Sequence, residues 1–597
     1  MCINQMYKGI MQTKTLTLLF FGLILIGCGS STGAITAAPL VAASSTLSFA
    51  ANKTFRFTWS DVSDATYYQL MENPDGNSGF TQVGSDIAQG NGVANHIVPL
   101  HSRVSAQYIL KSCNRFGCTN SSTLSVSGTM TNSIAYVKAS NTGLNDWFGD
   151  VLDLSSDGNT LVVGAPREDS SLTGVNSTET DTTINDSGAV YVFTKSNNVW
   201  QQEAYIKASN TGADDHFGSS ISLSGDGKTL VVGAENEDGN SDAKSNSGAV
   251  YVFYKATSSW AQQAYLKPTY SDNDDQFGAF GALDISDNGN IVAVGAVYED
   301  SGETGFTGTG SDDTSANAGA AYIFTRSSSV WQQTQYIKAD NTGAGDNFGT
   351  LSLSGDGTTL VVGAPLEDGT ALNAGAVYVF VYNGTSWSQE AYLKTSNAEA
   401  DDELTGSVTD GDESLVISKD GLTIAVAAGG EDSNATGLNG LDSNNSSPDS
   451  SAVYVFRKES GSWGQEAYIK SDHSNHRFFG GKRGLALNKT GTSLAIGTIW
   501  NSSSNLGVSS ESNNSGSLTQ AGAVYFYTKS GSSWAKTSFL KAPNTGSSDQ
   551  FGISVAMDET GATLVIGAAR ESSNATGVAG NGQANNAASS AGAVYVY

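Results

Sequence analysis

Two short words recur along the chain out of phase with each other, and this offset limits the possible folds more than any other feature. Ala-Val-Tyr-Val-Phe or a close variant begins at Ala189, Ala249, Ala320, Ala376, Ala452, Ala523 and Ala593. A second word close to Ala-Tyr-Ile-Lys begins at Ala135, Ala204, Ala264, Gln335, Ala391, Ala467 and Ser538. Recurrence at this period signals an array of similar modules. Because the second word comes first and the first word comes last, the opening strand must complete the final module. That pattern describes a ring closed by its own two ends.

One module can be read from Thr211 to Lys267. Ile221 to Ser224 is an apolar strand, Gly225-Asp226-Gly227 gives the tight turn that Asp-Gly favours, and Thr229 to Ala234 is a second strand. A polar loop from Glu235 to Ser247 leads to a third strand at Ala249 to Phe253, and Trp260 to Lys267 is the fourth. Four strands per repeat, repeated radially, describe the blade of a β-propeller. The expected fold is therefore all-β, with a seven-bladed propeller over residues 129–597 closed by a strand at 134–138. Tryptophans recur near the fourth strand at Trp200, Trp260, Trp331, Trp387, Trp463 and Trp534, a rhythm that marks them as packing residues.

Charge narrows the partners. Lys and Arg total 30 against 58 Asp and Glu, a formal net charge of -28. Nucleic acid is excluded, because phosphate binding needs a basic footprint.

The N-terminus reads as an address. From Met11, Lys14 precedes the apolar run Leu16 to Ile26, and then Gly27 and Cys28 follow. A charged start, a short apolar core and a small residue before the cut describe an export signal, too short for a stable membrane span. Leu25-Ile26-Gly27-Cys28 resembles the bacterial lipobox, which implies residues 1–28 as signal, lipidation at Cys28 and anchoring at the outer membrane or cell surface. Residues 29–45, rich in Ala, Ser and Thr, read as a tether.

Residues 46–128 lack the repeat and hold alternating strings at Phe55 to Trp59, Ala65 to Leu70 and Ala106 to Leu110, which reads as a small β-sandwich. The early Trp59, the central Tyr67-Tyr68 and the late Cys113-Asn114-Arg115-Phe116-Gly117-Cys118 resemble a fibronectin type III domain, which implies a spacer or weak binding module. An oxidising compartment allows Cys113 and Cys118 to bridge.

Phe217-Gly218 with Val232-Gly233-Ala234, and Phe348-Gly349 with Val362-Gly363-Ala364-Pro365, resemble FG-GAP repeats, the modules of integrin α-subunit propellers and many bacterial surface proteins. Propellers of that family often carry a calcium loop between the first and second strands. Here the place holds Ser155 to Thr160, Ser224 to Thr229 and Ser354 to Thr359, with one carboxylate each, too few for the six to eight oxygens calcium prefers. Those family sites do not carry over.

Two departures from the repeat mark candidate sites. Glu168-Asp169, Glu237-Asp238, Glu299-Asp300, Glu367-Asp368 and Glu431-Asp432 are expected to project onto one acidic loop face, densest in the fifth module. There Asp401, Asp402, Asp410 and Asp412 are candidate ligands for calcium, the only cofactor the sequence suggests. In the sixth module His473, His476, Arg477, Lys482 and Arg483 replace acidic loops and Trp500 occupies the Glu-Asp neighbourhood, while Arg570 and Arg167 follow the second strands of the seventh and first modules, the next two around the ring. Arg167, His476, Arg477 and Arg570 are expected to form a basic notch fit for a carboxylate, sulfate or sugar acid, unless Glu168 and Glu571 neutralise it.

No Ser-His-Asp order, histidine-rich metal spacing or phosphate-binding glycine loop stands out. The expected function is therefore a non-enzymatic surface lipoprotein that binds a protein or glycan through its loop face, for adhesion or scaffolding. The alternative is a glycan-processing propeller enzyme working at the notch.

Overall fold

The computed structural model describes residues 37–39, 41–177, 181–239, 244–279, 281–406, 414–473, 477–511, 516–579 and 585–597. Cys28 and the leader lie outside these residues. The described chain is all-β: its only helical pieces are two single 3-10 turns, at Leu100–Ser102 and Thr131–Ser133. None of its helices is long and apolar enough to cross a membrane.

The repeats fold into consecutive antiparallel sheets, S1 to S7, five of four strands and two of five. S1 runs Val151–Leu154, Thr160–Ala165, Ala189–Ser196 and Val199–Ile206, each strand paired with the next. S2 repeats it at Phe217–Leu223, Thr229–Ala234, Ala249–Lys255 and Trp260–Leu266. The second and third strands are buried on both faces, which explains their unbroken apolar runs. First strands of successive sheets touch one another in a closed cycle, with that of S7 touching that of S1. They enclose an axial cavity of about 210 Å³. Asp153 and Asp284 stitch alternate neighbours there, accepting the Leu223 and Leu353 N–H groups at 2.7 Å each.

The turn between first and second strands uses its one acidic side chain internally. Asp226 accepts the Ser224 hydroxyl at 2.7 Å and the Lys228 N–H at 3.0 Å, and Asp157 and Asp356 do the same in their own turns. These are locally closed Asx-type turns.

Chain start and chain end meet in S7. Ala135–Val137 pairs with the terminal strand, Tyr136 opposite Tyr595 and Val137 opposite Val594. The closing strand is not the outermost of S7, because Val578–Ala579 pairs along its other side. Gly507–Ser509 covers the fourth strand of S6 in the same way. Both additions protect an edge that would otherwise present unpaired backbone. Four of the repeated tryptophans, Trp200, Trp260, Trp387 and Trp534, are buried. Trp331, Trp463 and Trp534 also reach the preceding sheet, donating their indole N–H to Gln263, Glu390 and Glu466 at 2.9, 3.0 and 2.9 Å.

Residues 45–125 form two further sheets, Ser45–Ala50, Thr54–Trp59 and Val93–Ile97 in one, with Thr81–Ala88, Tyr67–Asn73, Gln107–Asn114, Gly117–Asn120 and Leu124–Ser125 in the other. Phe55, Phe57, Tyr68, Leu70, Tyr108 and Leu110 form the core between them. Cys113 and Cys118 are disulfide-bonded with Cα atoms 4.1 Å apart. This unit docks on the turn side of S7: the Lys53 ammonium reaches the Ala562 carbonyl at 2.6 Å, His101 Nε2 meets the Gly561 carbonyl at 2.9 Å, and the His101 ring packs 4.4 Å from Phe526.

Tyr136 is fully buried in the closure. Truncating such a side chain costs about 3–5 kcal/mol, so deleting residues 134–138 should lower the melting temperature of the full chain by more than about 10 °C. Differential scanning calorimetry would measure it, and an unshifted transition would disprove closure by this strand.

Candidate functional site

The loops joining second to third strands and fourth to first strands emerge on the face opposite the N-terminal unit. The repeated glutamates expected on that face are internal, which leaves its exposed acidity to aspartates such as Asp214, Asp274, Asp368 and Asp401. Glu168 is 2 % exposed and accepts four donors: the Lys207 ammonium at 2.9 Å, Tyr205 OH at 2.9 Å, the Asn141 amide at 3.0 Å and the Ser170 N–H at 3.1 Å. Lysine and tyrosine both come from the Ala-Tyr-Ile-Lys word, so one recurring word clamps the other loop. Glu237, Glu299, Glu367 and Glu431 are held the same way by Lys267, Lys338, Lys394 and Lys470 with Tyr265, Tyr336, Tyr392 and Tyr468. Glu571 is held by Lys138 and Tyr136 from the chain's other end, each at 3.1 Å.

Four aspartates of the loops between fourth and first strands are internal too. Asp146, Asp275, Asp402 and Asp549 each accept a backbone N–H three residues back, from Gly143, Asp272, Glu399 and Gly546 at 2.6–2.7 Å. Burial, which outweighs that hydrogen bond, pushes each of these carboxyls up to about 7, with nearby glutamates adding to the rise. Asp402 thus belongs to a loop cap and not to an exposed cluster, while Asp401 accepts the Asn373 amide at 2.8 Å. Asp410 and Asp412 lie outside the described residues. Among the described residues, no three His, Cys, Asp or Glu side chains are grouped to hold a metal ion.

S6 breaks the clamp. Asn501 stands where the other sheets have glutamate and Phe539 where they have tyrosine, so Lys541 is buried with only the Asn501 amide oxygen at 3.4 Å and the Gly522 carbonyl. Burial brings its ammonium down to about 7.

A ring of equivalent residues surrounds the mouth of the axial cavity. The residue before each Phe, or its substitute, has left-handed backbone: Trp147 (φ 58°), His216 (55°), Gln276 (51°), Asn347 (56°), Glu403 (50°), Phe478 (60°) and Gln550 (57°). That conformation is disfavoured for bulky side chains and persists only where surroundings enforce it. Here a hydrogen bond to the preceding sheet's loop enforces it, as from the His216 N–H to the Asp186 carbonyl at 3.2 Å and from the Gln550 N–H to the Gln520 carbonyl at 3.0 Å. The backbone is constant and the side chain varies from sheet to sheet.

Three of these residues, Trp147, Phe478 and Gln550, meet in one cavity of about 230 Å³ where S6, S7 and S1 adjoin. Phe478 and Trp500 lie nearly parallel, 6.1 Å apart at 9°, and Trp500 is 39 % exposed. Lys482, Arg570, Gln520 and Asp150 complete the walls. Arg167 and Arg570 converge on the Trp147 ring, with guanidinium carbons 3.8 and 5.2 Å from its centroid. Glu168 and Glu571 do not neutralise them, being committed to Lys207 and Lys138. The closest carboxylate to Arg167 is that of Asp186 at 3.8 Å.

The expected notch is therefore partly assembled. Arg167 and Arg570 meet, whereas Arg477 pairs with Asp449 on an exposed edge. His476 lies outside the described residues. Arg483 crosses the mouth instead, donating to the Asp150 carbonyl at 3.0 Å, the Asp150 carboxylate at 3.2 Å and the Ser219 carbonyl at 2.9 Å. Trp147, Phe478, Gln520 and Gln550 were not singled out from sequence. Variability of the residue before each Phe-Gly is the signal that marks Trp147, Phe478 and Gln550, whereas Gln520 precedes Ala521-Gly522 and carries no such signal.

Residues 200–253, 331–380 and 534–597 match the FG-GAP repeat family model, so FG-GAP repeats are present in the chain. No curated protein matches it. Similar solved structures include a Bacteroides fragilis NCTC 9343 protein described as a 6-phosphogluconolactonase (10% identity, TM-score 0.38, covering 80% of this chain and 96% of that one). Others are the Pseudomonas aeruginosa periplasmic gluconolactonase PpgL (12%, 0.37, 80% and 98%) and the Kuenenia stuttgartiensis hydrazine synthase (12%, 0.39, 74% and 97%). The expectation of a non-enzymatic adhesion or scaffolding lipoprotein is corrected at this point. Two of these similar structures carry the names of lactonases, and the loop glutamates expected at the surface are buried and clamped.

Two outcomes test this account. Glu168→Gln should destabilise the chain by about 3–5 kcal/mol, whereas Glu168→Leu with Lys207→Met should cost far less, since a broken buried pair leaves an uncompensated charge. Denaturant unfolding of both variants would measure this. Asp146, Asp275, Asp402 and Asp549 bind protons more tightly folded than unfolded, so their contribution is full below the unfolded carboxylate value and is lost as pH rises through about 7. A variant with all four changed to Asn should lack that decline, so the melting-temperature difference between parent and variant should shift in the variant's favour as pH rises from about 4.5 to about 8.

Proposed function

We propose that this protein is a lipoprotein, anchored through Cys28 at the outer membrane or cell surface of a bacterium, whose propeller binds and processes an acidic glycan. In this reading residues 46–128 are a fibronectin type III-like sandwich acting as a spacer, and residues 129–597 are a seven-bladed propeller, with S1 to S7 as its blades. The closed cycle of first strands supports the blade count, and two facing sheets around one aromatic core support the sandwich.

One observation carries the function: the cavity of Trp147, Phe478, Trp500, Lys482 and Arg570 between S6, S7 and S1. An exposed indole offers a flat apolar surface to the C–H face of a sugar ring. Guanidinium and ammonium groups hold a carboxylate by charge-assisted hydrogen bonds, and the amides of Gln520 and Gln550 suit hydroxyl groups. Arg570 forms no ion pair among the described residues, so its charge is available to a ligand.

Calorimetric titration of galacturonate and of neutral galactose into the full chain tests this. Galacturonate should bind, and Trp500→Ala and Arg570→Ala should each weaken it about tenfold or more with an unchanged melting temperature. Equal affinity for galactose, or no binding of either, would reject the reading. Release of reducing ends from an acidic oligosaccharide, lost in Arg570→Ala, is the expected sign of processing.

A further inference from the structure

We propose that His216, together with Arg167, forms a second carboxylate subsite beside the cavity, so that the ligand is an oligomer carrying at least two acidic sugars. This rests on the acidic-glycan reading and adds the length of the ligand to it.

His216 occupies in S2 the ring position that Trp147 occupies in S1, so the two side chains stand at neighbouring stations around the mouth. Its Nδ1 faces the Glu235 carboxylate at 3.1 Å and lies 3.2 Å from the Asn236 amide. Both interactions fall on Nδ1, so Nε2 is not used by either, and the side chain is 19% exposed. Arg167 lies between the stations, stacked on Trp147 and within electrostatic reach of His216. Along the rim the cations then run Lys482, Arg570, Arg167, His216. Trp147 is sandwiched in that run, which provides an apolar step between two charged ones.

Glu235 explains why this station holds a charge. It is 3% exposed, its Oε1 takes the imidazole, and its Oε2 has no hydrogen-bond partner. A buried carboxylate so placed needs a cation, and the imidazolium supplies it. The other groups facing the pair are Asp186 and Arg167 from S1, Asp214 from the same loop as His216, and Arg483 with Asp150 on the inner side of Glu235. Burial opposes the charged imidazole, but the hydrogen bond and charge of Glu235 outweigh it, so His216 titrates above the ordinary histidine range. Raised affinity for a second carboxylate is thus present at lower pH and lost as pH rises through the His216 titration.

The test is titration of mono- and trigalacturonate into the full chain at about pH 6 and about pH 8.5, in buffers of differing ionisation enthalpy. The trimer should bind about tenfold or more tighter than the monomer at the lower pH, with proton uptake appearing as pH rises, and the advantage should shrink at the higher pH. His216→Gln should remove the advantage and the proton uptake and leave monomer affinity unchanged, and Arg167→Ala should remove the advantage as well. A trimer bound no better than the monomer, or an advantage that survives His216→Gln, overturns the second subsite and leaves the first intact. Absence of binding by both saccharides overturns both readings together.

Discussion

A buried lysine–glutamate–tyrosine clamp underlies the rest of the structure. In six of the sheets, a loop glutamate after the second strand meets a lysine and a tyrosine from the fourth-strand word. A buried ion pair of this kind contributes little net free energy against an apolar replacement, but it is severely destabilising when one member is lost. Its role here is positional: it fixes where each long loop leaves its sheet, and so which residues can reach the mouth. In S7 the clamp is assembled from both chain ends, so closure and loop placement are one event.

The same clamp explains why aromatic and cationic side chains gather where S6, S7 and S1 adjoin. Asn501 and Phe539 remove the clamp from S6, and Trp500, freed from the usual Glu-Asp loop, stacks on Phe478. Neither Arg167 nor Arg570 pairs with the neighbouring glutamates, which already have lysine partners, and the closest carboxylate to Arg167 is that of Asp186 at 3.8 Å. Sharing one ring geometry, the sheets vary a single left-handed residue each, a device by which a rigid frame presents different side chains around one opening.

The fold was legible to the degree that it is periodic. Out-of-phase words placed the closure within Ile134 to Lys138, and the Gly-Asp-Gly turns gave the strand boundaries. The site was legible only in outline. Arg167 and Arg570 are legible because they interrupt an acidic pattern, but Arg477, expected beside them because its module adjoins theirs in the ring, in fact faces Asp449. Trp147 and His216 were passed over because each reads as one more loop residue until the ring positions are superposed in space.

By itself, the sequence determined the all-β class, the number of repeats and the meeting of the two ends, because hydrophobic period and turn chemistry are local properties of the chain. Only the tertiary structure decided the electrostatics. Whether a glutamate is a surface acid or an internal clamp depends on a lysine tens of residues away, as with Glu168 and Lys207. That pairing exists only once the fourth strand has folded back beneath the loop, and no local pattern of charge reports it.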